Sequence, residues 1–229
     1  MASRIKLISS MATKQVVNDM IAEYAKTSTQ GIDSEAMGGV KAADRVRAGE
    51  AFDIVFLAAN VIDQMIAEGH LLPGSRVDLV RSGVAIAVPE GAPAVDISSE
   101  EAVKQAVLNA ASLGYSTGPS GVYMTKLFER WGISEQIKDR IVQAPPGVPV
   151  AEFVAEGKVA LGFQQLAEML NVPGIKVLGP LPDAIQTITI FSCGIGKLTT
   201  QLHAAKAALE FMASSATEGI KQANGMEAA

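Results

Sequence analysis

The chain has 229 residues, 48% of them apolar, and a formal net charge of −5. That length can bury a sizeable core as one domain or two modest lobes, and an acidic balance with no basic run argues against nucleic acid as a partner. A single cysteine, Cys193, excludes an internal disulfide and a cysteine-based zinc site; no apolar run approaches the ~20 residues of a membrane span, and two histidines, His70 and His203, leave little for any metal.

Met1-Ala2-Ser3-Arg4 runs straight into apolar residues, with no basic-then-apolar leader. The expectation is a cytoplasmic protein as written, or a periplasmic one if Met1-Ala2-Ser3 replaces a removed leader. Residues 5–8 read as a short apolar strand. Ser9-Ser10 follow, then a helix with Val16, Val17, Met20, Ile21 and Tyr24 inward. After a turn-rich stretch over 27–32, a short strand ends near Ala36, and Met37-Gly38-Gly39 open a helix to about Ala48. Residues 52–57 read as a buried strand interrupted only by Asp53. A helix over 59–68 turns Val61, Ile62, Met65 and Ile66 inward and closes at Gly69. This β-α-β-α-β-α order predicts a parallel sheet covered on both faces.

The rhythm then changes. Residues 75–88 are long and strand-like, with Arg81-Ser82-Gly83 in the middle, enough to carry the chain from one lobe into another. A second series follows. A helix over 100–111 turns Val103, Val107, Ala110 and Ala111 inward, and a strand covers 113–116. The turn Gly118-Pro119-Ser120-Gly121-Val122-Tyr123 then opens a helix with Met124, Leu127, Phe128 and Trp131 on one face. A strand near 140–143 leads to Pro145-Pro146-Gly147 and a short helix over 149–156. A strand over 159–163 gives way to Gln164-Gln165, which start a helix over 166–170; a strand over 175–178 follows. Residues 185–193 form the second long strand, able to return the chain to the first lobe. A last helix turns Leu202, Ala205, Leu209 and Met212 inward, and Asn224-Gly225 end the ordered part. The lobes are then 1–82 plus 192–229, and 83–191.

Four turns share one character. Ser9-Ser10, Gly38-Gly39, Ser120-Gly121-Val122 and Gln164-Gln165 each follow a strand and precede a helix. Ligands of open α/β sheets sit at the carboxyl ends of strands, and a helix start offers unpaired N–H groups and a positive dipole end to an anion. Two turns come from each lobe. If the lobes face each other, these groups meet in one cleft and hold a small anion by neutral dipoles rather than lysines.

At this point the chain resembles the type II periplasmic-binding-protein fold, and within it the molybdate-receptor-like solute-binding proteins, to which the aconitate isomerases are similar. The matching stretches are Leu7-Ile8-Ser9-Ser10, Gly38-Gly39, 48–55, 81–89, Pro119-Ser120-Gly121-Val122-Tyr123 and Gly162-Phe163-Gln164-Gln165. The resemblance implies an α/β protein of two Rossmann-like lobes joined by two crossover strands, with a cleft between the lobes. It also implies an oxyanion held by Ser9 or Ser10, by Gly39 and by Ser120 to Tyr123. The family's late tyrosine has no match: Gln164 and Gln165 stand there. A glutamine offers donor and acceptor together and suits a carboxylate, and Arg81 adds a possible fork, or else a solvated charge.

Two functions follow from the resemblance. The first is a clamp that binds a small carboxylate or oxyanion, partnered by an ABC permease only if the protein is exported. The second is an isomerase of an unsaturated polycarboxylate using the same cleft. Neither needs a cofactor or a metal, and neither inserts in a membrane. The isomerase needs a group to move a proton, for which Ser9, Ser10, Tyr123 and Glu35 are the candidates. His70 reads as a partner of a helix carboxyl end, His203 as solvated, Cys193 as packing, and Glu100-Glu101 as helix N-terminal charge alone.

Overall fold

The computed structural model describes residues 3–229, so Met1 and Ala2 of the Met1-Ala2-Ser3 start lie outside the described residues. The chain divides into two compact units, Met1–Ser82 with Thr189–Ala229, and Gly83–Ile188.

The first unit opens with β1 (Ile5–Ser10), one 3₁₀ turn (Met11–Thr13) and α1 (Lys14–Tyr24). β2 (Ile32–Met37), α2 (Gly39–Arg47), β3 (Ile54–Ala58) and α3 (Ala59–Ala67) follow. β1 pairs in parallel with β2, Ser10 opposite Met37, and with β3, Ser9 opposite Phe56. The carboxyl ends of β1 and β2 therefore stand side by side. Alternation along the strands turns Ile8, Val55 and Leu57 to one face. There they pack on Ala42, Ala43 and Val46 of α2 and on Ile62 and Met65 of α3. The two alanines let α2 lie close to the sheet. β3 is the most apolar strand, buried at every position, as expected of a central strand covered on both faces.

β4 (Val77–Pro89) passes from the first unit into the second at Ser82-Gly83. In the second unit come α4 (Glu100–Asn109), β5 (Leu113–Tyr115), α5 (Pro119–Arg130), α6 (Ser134–Ile137) and β6 (Ile141–Gln143). α7 (Val150–Ala155), β7 (Leu161–Gln165), α8 (Leu166–Met169) and β8 (Ile175–Pro180) complete it. β5 is parallel to β6 and to β7, with Tyr115 opposite Gln143 and Phe163, while β4 runs antiparallel to β7 and β8. One face carries Val84, Ile86, Leu113, Leu161 and Phe163 against Val103 and Val107 of α4 and Met124, Leu127 and Phe128 of α5. Each such large side chain contributes about 1.5–3 kcal/mol when fully buried. The other face is thin. A Cβ on Gly162 would lie 2.6 Å from Val154 Cγ2, so α7 rests directly on the strand backbone.

β9 (Ile188–Ile195) re-enters the first unit, antiparallel to β3, and α9 (Leu202–Ala213) and α10 (Glu218–Ala223) follow. Several sequence expectations need correction here. The chain does not end its order at Asn224-Gly225: Met226 is buried, and β10 (Glu227–Ala228) pairs with β4, Glu227 opposite Arg81. The second long strand starts at Ile188, since Ile185 closes a 3₁₀ turn instead. β7 runs on through Gln164 and Gln165, which end a strand rather than start a helix. Ala111 is exposed beyond the end of α4. Among the described residues no helix is long and apolar enough to cross a membrane.

Candidate functional site

In the first unit the polar groups gather where β1 and β2 end. Ser9 and Ser10 are both buried, on opposite faces of the strand. Ser10 Oγ lies 3.2 Å from Thr13 Oγ1, and Thr13 Oγ1 also donates to the Ser10 carbonyl oxygen at 3.2 Å. Thr13 is fully buried, so this pair is held by packing. Ser9 differs. Its side chain is 1% exposed, and among the described residues its Oγ has no hydrogen-bond partner. Next to Ser10 stands the start of α2. Gly38 is its N-cap, with no side chain to satisfy the first N–H groups. A Cβ on Gly39 would sit 4.0 Å from Ser10 Cβ and from Leu57 Cδ2, in ordinary contact. Packing therefore does not demand a glycine at 39.

In the second unit the corresponding place is the turn from β5 into α5. Ser116 Oγ accepts the Gly118 N–H at 3.1 Å and lies 3.5 Å from Ser120 Oγ. Pro119 has no N–H and stands at the first helical position, where none is needed. The N–H groups of Ser120 and Gly121 belong to the first turn and have no helical acceptor. Here a glycine is obligatory: a Cβ on Gly121 would lie 1.6 Å from the Ser116 carbonyl oxygen. Val122 donates its N–H to the Gly118 carbonyl at 3.0 Å, and its side chain is exposed. Tyr123 Oη donates to the Ile185 carbonyl oxygen at 2.7 Å, and burial pushes its pKa up. That hydroxyl is tied down and is a poor base.

β7 ends beside this turn, because Tyr115 pairs with Phe163. Gln164 and Gln165 are both buried. Gln164 Oε1 accepts the N–H groups of Val150 at 2.8 Å and Ala151 at 3.3 Å, so it satisfies the start of α7. Its amide nitrogen is thereby left to bond Glu168, four residues on in α8. Glu168 is half-buried, and burial raises its pKa to about 7 against the hydrogen bond from Gln164, which lowers it. Sequence reasoning overlooked Glu168, as it did Thr13 and Ser116. Only the spacings Ser10-x-x-Thr13 and Ser116-x-Gly118 carried any local signal.

The remaining candidates are engaged elsewhere. Arg81 forms an exposed ion pair with Glu227, 2.5 Å from Nη2 to Oε2. Glu35 pairs with Arg45 at 2.5 Å. Glu100 is more than a helix-end charge: it accepts from Trp131 Nε1 at 2.7 Å and Arg130 Nη2 at 2.6 Å, and these bonds hold its carboxyl below the usual range. Cys193 is buried, and burial pushes its thiol pKa well up. Among the described residues no cluster of His, Cys, Asp and Glu could hold a metal ion.

The pattern of the bacterial extracellular solute-binding proteins matches residues 5–227. The chain belongs to that family. A curated relative, an aconitate isomerase from Pseudomonas sp, is 35% identical over 218 residues, covering 92% of this chain and 82% of that protein. Among solved structures, the periplasmic molybdate-binding protein of Azotobacter vinelandii superposes with a TM-score of 0.82 at 17% identity, over 97% of this chain and 98% of that one. PEB3 bound to L-phospholactate gives 0.75 at 12% identity, over 97% and 99%. The fold of this solute-binding protein is thus the type II periplasmic-binding-protein fold. Within it, both donor sets stand at the carboxyl ends of parallel strands, where ligands of open α/β sheets bind.

Proposed function

We propose that this solute-binding protein holds a small anion bearing carboxylate groups, through Ser9, Ser10 and the Gly38-Gly39 turn of one unit and the Ser120-Gly121 turn of the other. The observation that carries this reading is the unpartnered hydroxyl of Ser9. A buried donor left unsatisfied costs about 1–3 kcal/mol, and an anion oxygen at the end of β1 removes that cost. The other donors are neutral as well. Hydrogen bonds from neutral donors to a charged acceptor are worth about 1.5–3 kcal/mol each, enough for tight binding without a buried cation. Lys14 and Lys41, exposed in the first turns of α1 and α2, add a long-range positive field. The test is Ser9→Ala. It is expected to raise the melting temperature of the ligand-free protein while weakening its affinity for a tricarboxylate in calorimetry. Unchanged affinity would contradict the reading.

A second reading is favoured by the relative at 35% identity, which is named an aconitate isomerase. In this reading the chain not only binds an unsaturated tricarboxylate but shifts its double bond. One C–H bond breaks beside a carboxylate, the electrons form the new double bond, and the old one is closed by a proton at its far carbon. N–H groups that bind the carboxylates also stabilise the charge that spreads onto them in the dienolate. Incubation with trans-aconitate, followed by ultraviolet absorbance and chromatography, tests it: conversion supports catalysis, and binding without conversion leaves the first reading alone.

A further inference from the structure

The isomerase reading lacks a proton carrier among the residues the sequence pointed to. Among the described residues the Ser9 hydroxyl has no hydrogen-bond partner and the Ser10 hydroxyl meets Thr13, so neither is shown a base to activate it. Tyr123 is bonded to the Ile185 carbonyl, and Glu35 to Arg45. Resting on that reading, we propose that Glu168 is the group that takes the proton from one carbon of the substrate and returns it to the other.

Three features carry this assignment. The first is place. Glu168 lies in the turn that leaves the carboxyl end of β7, the strand next to β5, whose own end carries the Ser116–Gly121 donors. The second is the way it is held. Gln164 Oε1 is already taken by the N–H groups of Val150 and Ala151. Gln164 can therefore only donate to Glu168, through its amide nitrogen. When the carboxyl is protonated, Gln164 offers its O–H no acceptor, so the proton is free to be given elsewhere. The third is electrostatic. Burial raises the Glu168 pKa, the hydrogen bond from Gln164 lowers it, and burial prevails. The next residue, Met169, anchors α8 by packing with Ala85, Ala87 and Ala151. A carboxyl that titrates near neutrality can both accept and return a proton, which is what a single-group shuttle needs.

The proton balance closes on this one residue. The carboxylate accepts the hydrogen of the saturated carbon, the double bond moves, and the acid gives the proton to the former vinyl carbon. Glu168 ends as it began, and no oxidant or cofactor is needed.

The experiment compares wild type, Glu168→Gln and Glu168→Asp with trans-aconitate as probe. Affinity is measured by calorimetry, conversion by chromatography, and folding by thermal melting. Glu168→Gln is expected to bind within about threefold of wild type but to lose conversion by about 100-fold or more. Glu168→Asp should retain part of the activity, and the limb near pH 7 in the wild-type pH–rate profile should be absent in Glu168→Gln. A wild type that converts, with a folded Glu168→Gln variant that converts within tenfold of it, overturns the assignment and spares the isomerase reading. A wild type that binds without converting removes both, and leaves the binding function standing.

Discussion

The hydroxyls of Ser10 and Thr13 stand 3.2 Å apart at the end of β1, and Thr13 can also bond the Ser10 carbonyl oxygen. Thr13 has one hydrogen to give. Given to the carbonyl, it leaves the Ser10–Thr13 contact to be closed by the hydrogen of Ser10. Given to Ser10 Oγ, it frees the Ser10 hydrogen for an anion and strengthens that donor by polarisation. Thr13→Val keeps the shape and removes this choice. It is expected to weaken anion affinity roughly fivefold, about 1 kcal/mol, with the melting temperature shifted by only a few degrees. Calorimetry and thermal melting read the two effects separately.

Two glycines at the strand ends should respond in opposite ways. Gly121→Ala places a methyl group against the Ser116 carbonyl, with its carbon 1.6 Å from the oxygen. The β5–α5 turn must then move, at an expected cost of about 3 kcal/mol or more, visible as a large fall in melting temperature. Gly39→Ser meets nothing closer than 4.0 Å. It should leave stability within about 1 kcal/mol of wild type, Gly39 being an early helical position. Its new hydroxyl beside Ser10 should change which anions bind. A Gly121→Ala protein as stable as wild type would contradict the described turn.

Glu168 makes stability fall as pH rises. Below its ordinary value of 4.5 the carboxyl is protonated whether the chain is folded or not. Between 4.5 and about 7 the unfolded chain releases the proton and the folded one keeps it. Above 7 the folded protein must hold a buried carboxylate. The loss across this window is on the order of 3 kcal/mol. Glu168→Gln lacks this titration, so urea unfolding of wild type and variant should diverge with pH, the variant being the more stable at pH 8. Parallel curves from pH 4 to pH 8 would contradict the burial of this carboxyl.

How much of this is legible in the sequence depends on how local each feature is. The plan of two α/β units is legible, because the strand–turn–helix rhythm and the long strands around Ser82 and Ile188 are patterns of neighbouring residues; the type II fold itself comes from the resemblance. Ser10 and Ser120 attract notice for the same reason: each sits in its own short turn. Gln164-Gln165 read as a helix start because they follow one strand-like run and precede the apolar residues over 166–170. What keeps them in β7 is pairing with β4 and the capping of α7 by Gln164, 14 residues from Val150. β10 is not legible because Arg81, the residue opposite Glu227, is 146 residues away. Glu168 is not legible because its perturbation comes from burial and from Gln164, a strand residue already tied to the start of α7.

The most direct test of the whole account is the affinity of wild type, Ser10→Ala and Ser120→Ala for one tricarboxylate, by calorimetry, with folding checked by melting. Both variants are expected to stay folded and to bind about tenfold more weakly or worse, since each removes a neutral donor to a charged ligand. If either variant, properly folded, binds as tightly as wild type, its unit contributes no donor to the anion, and the proposed function is wrong.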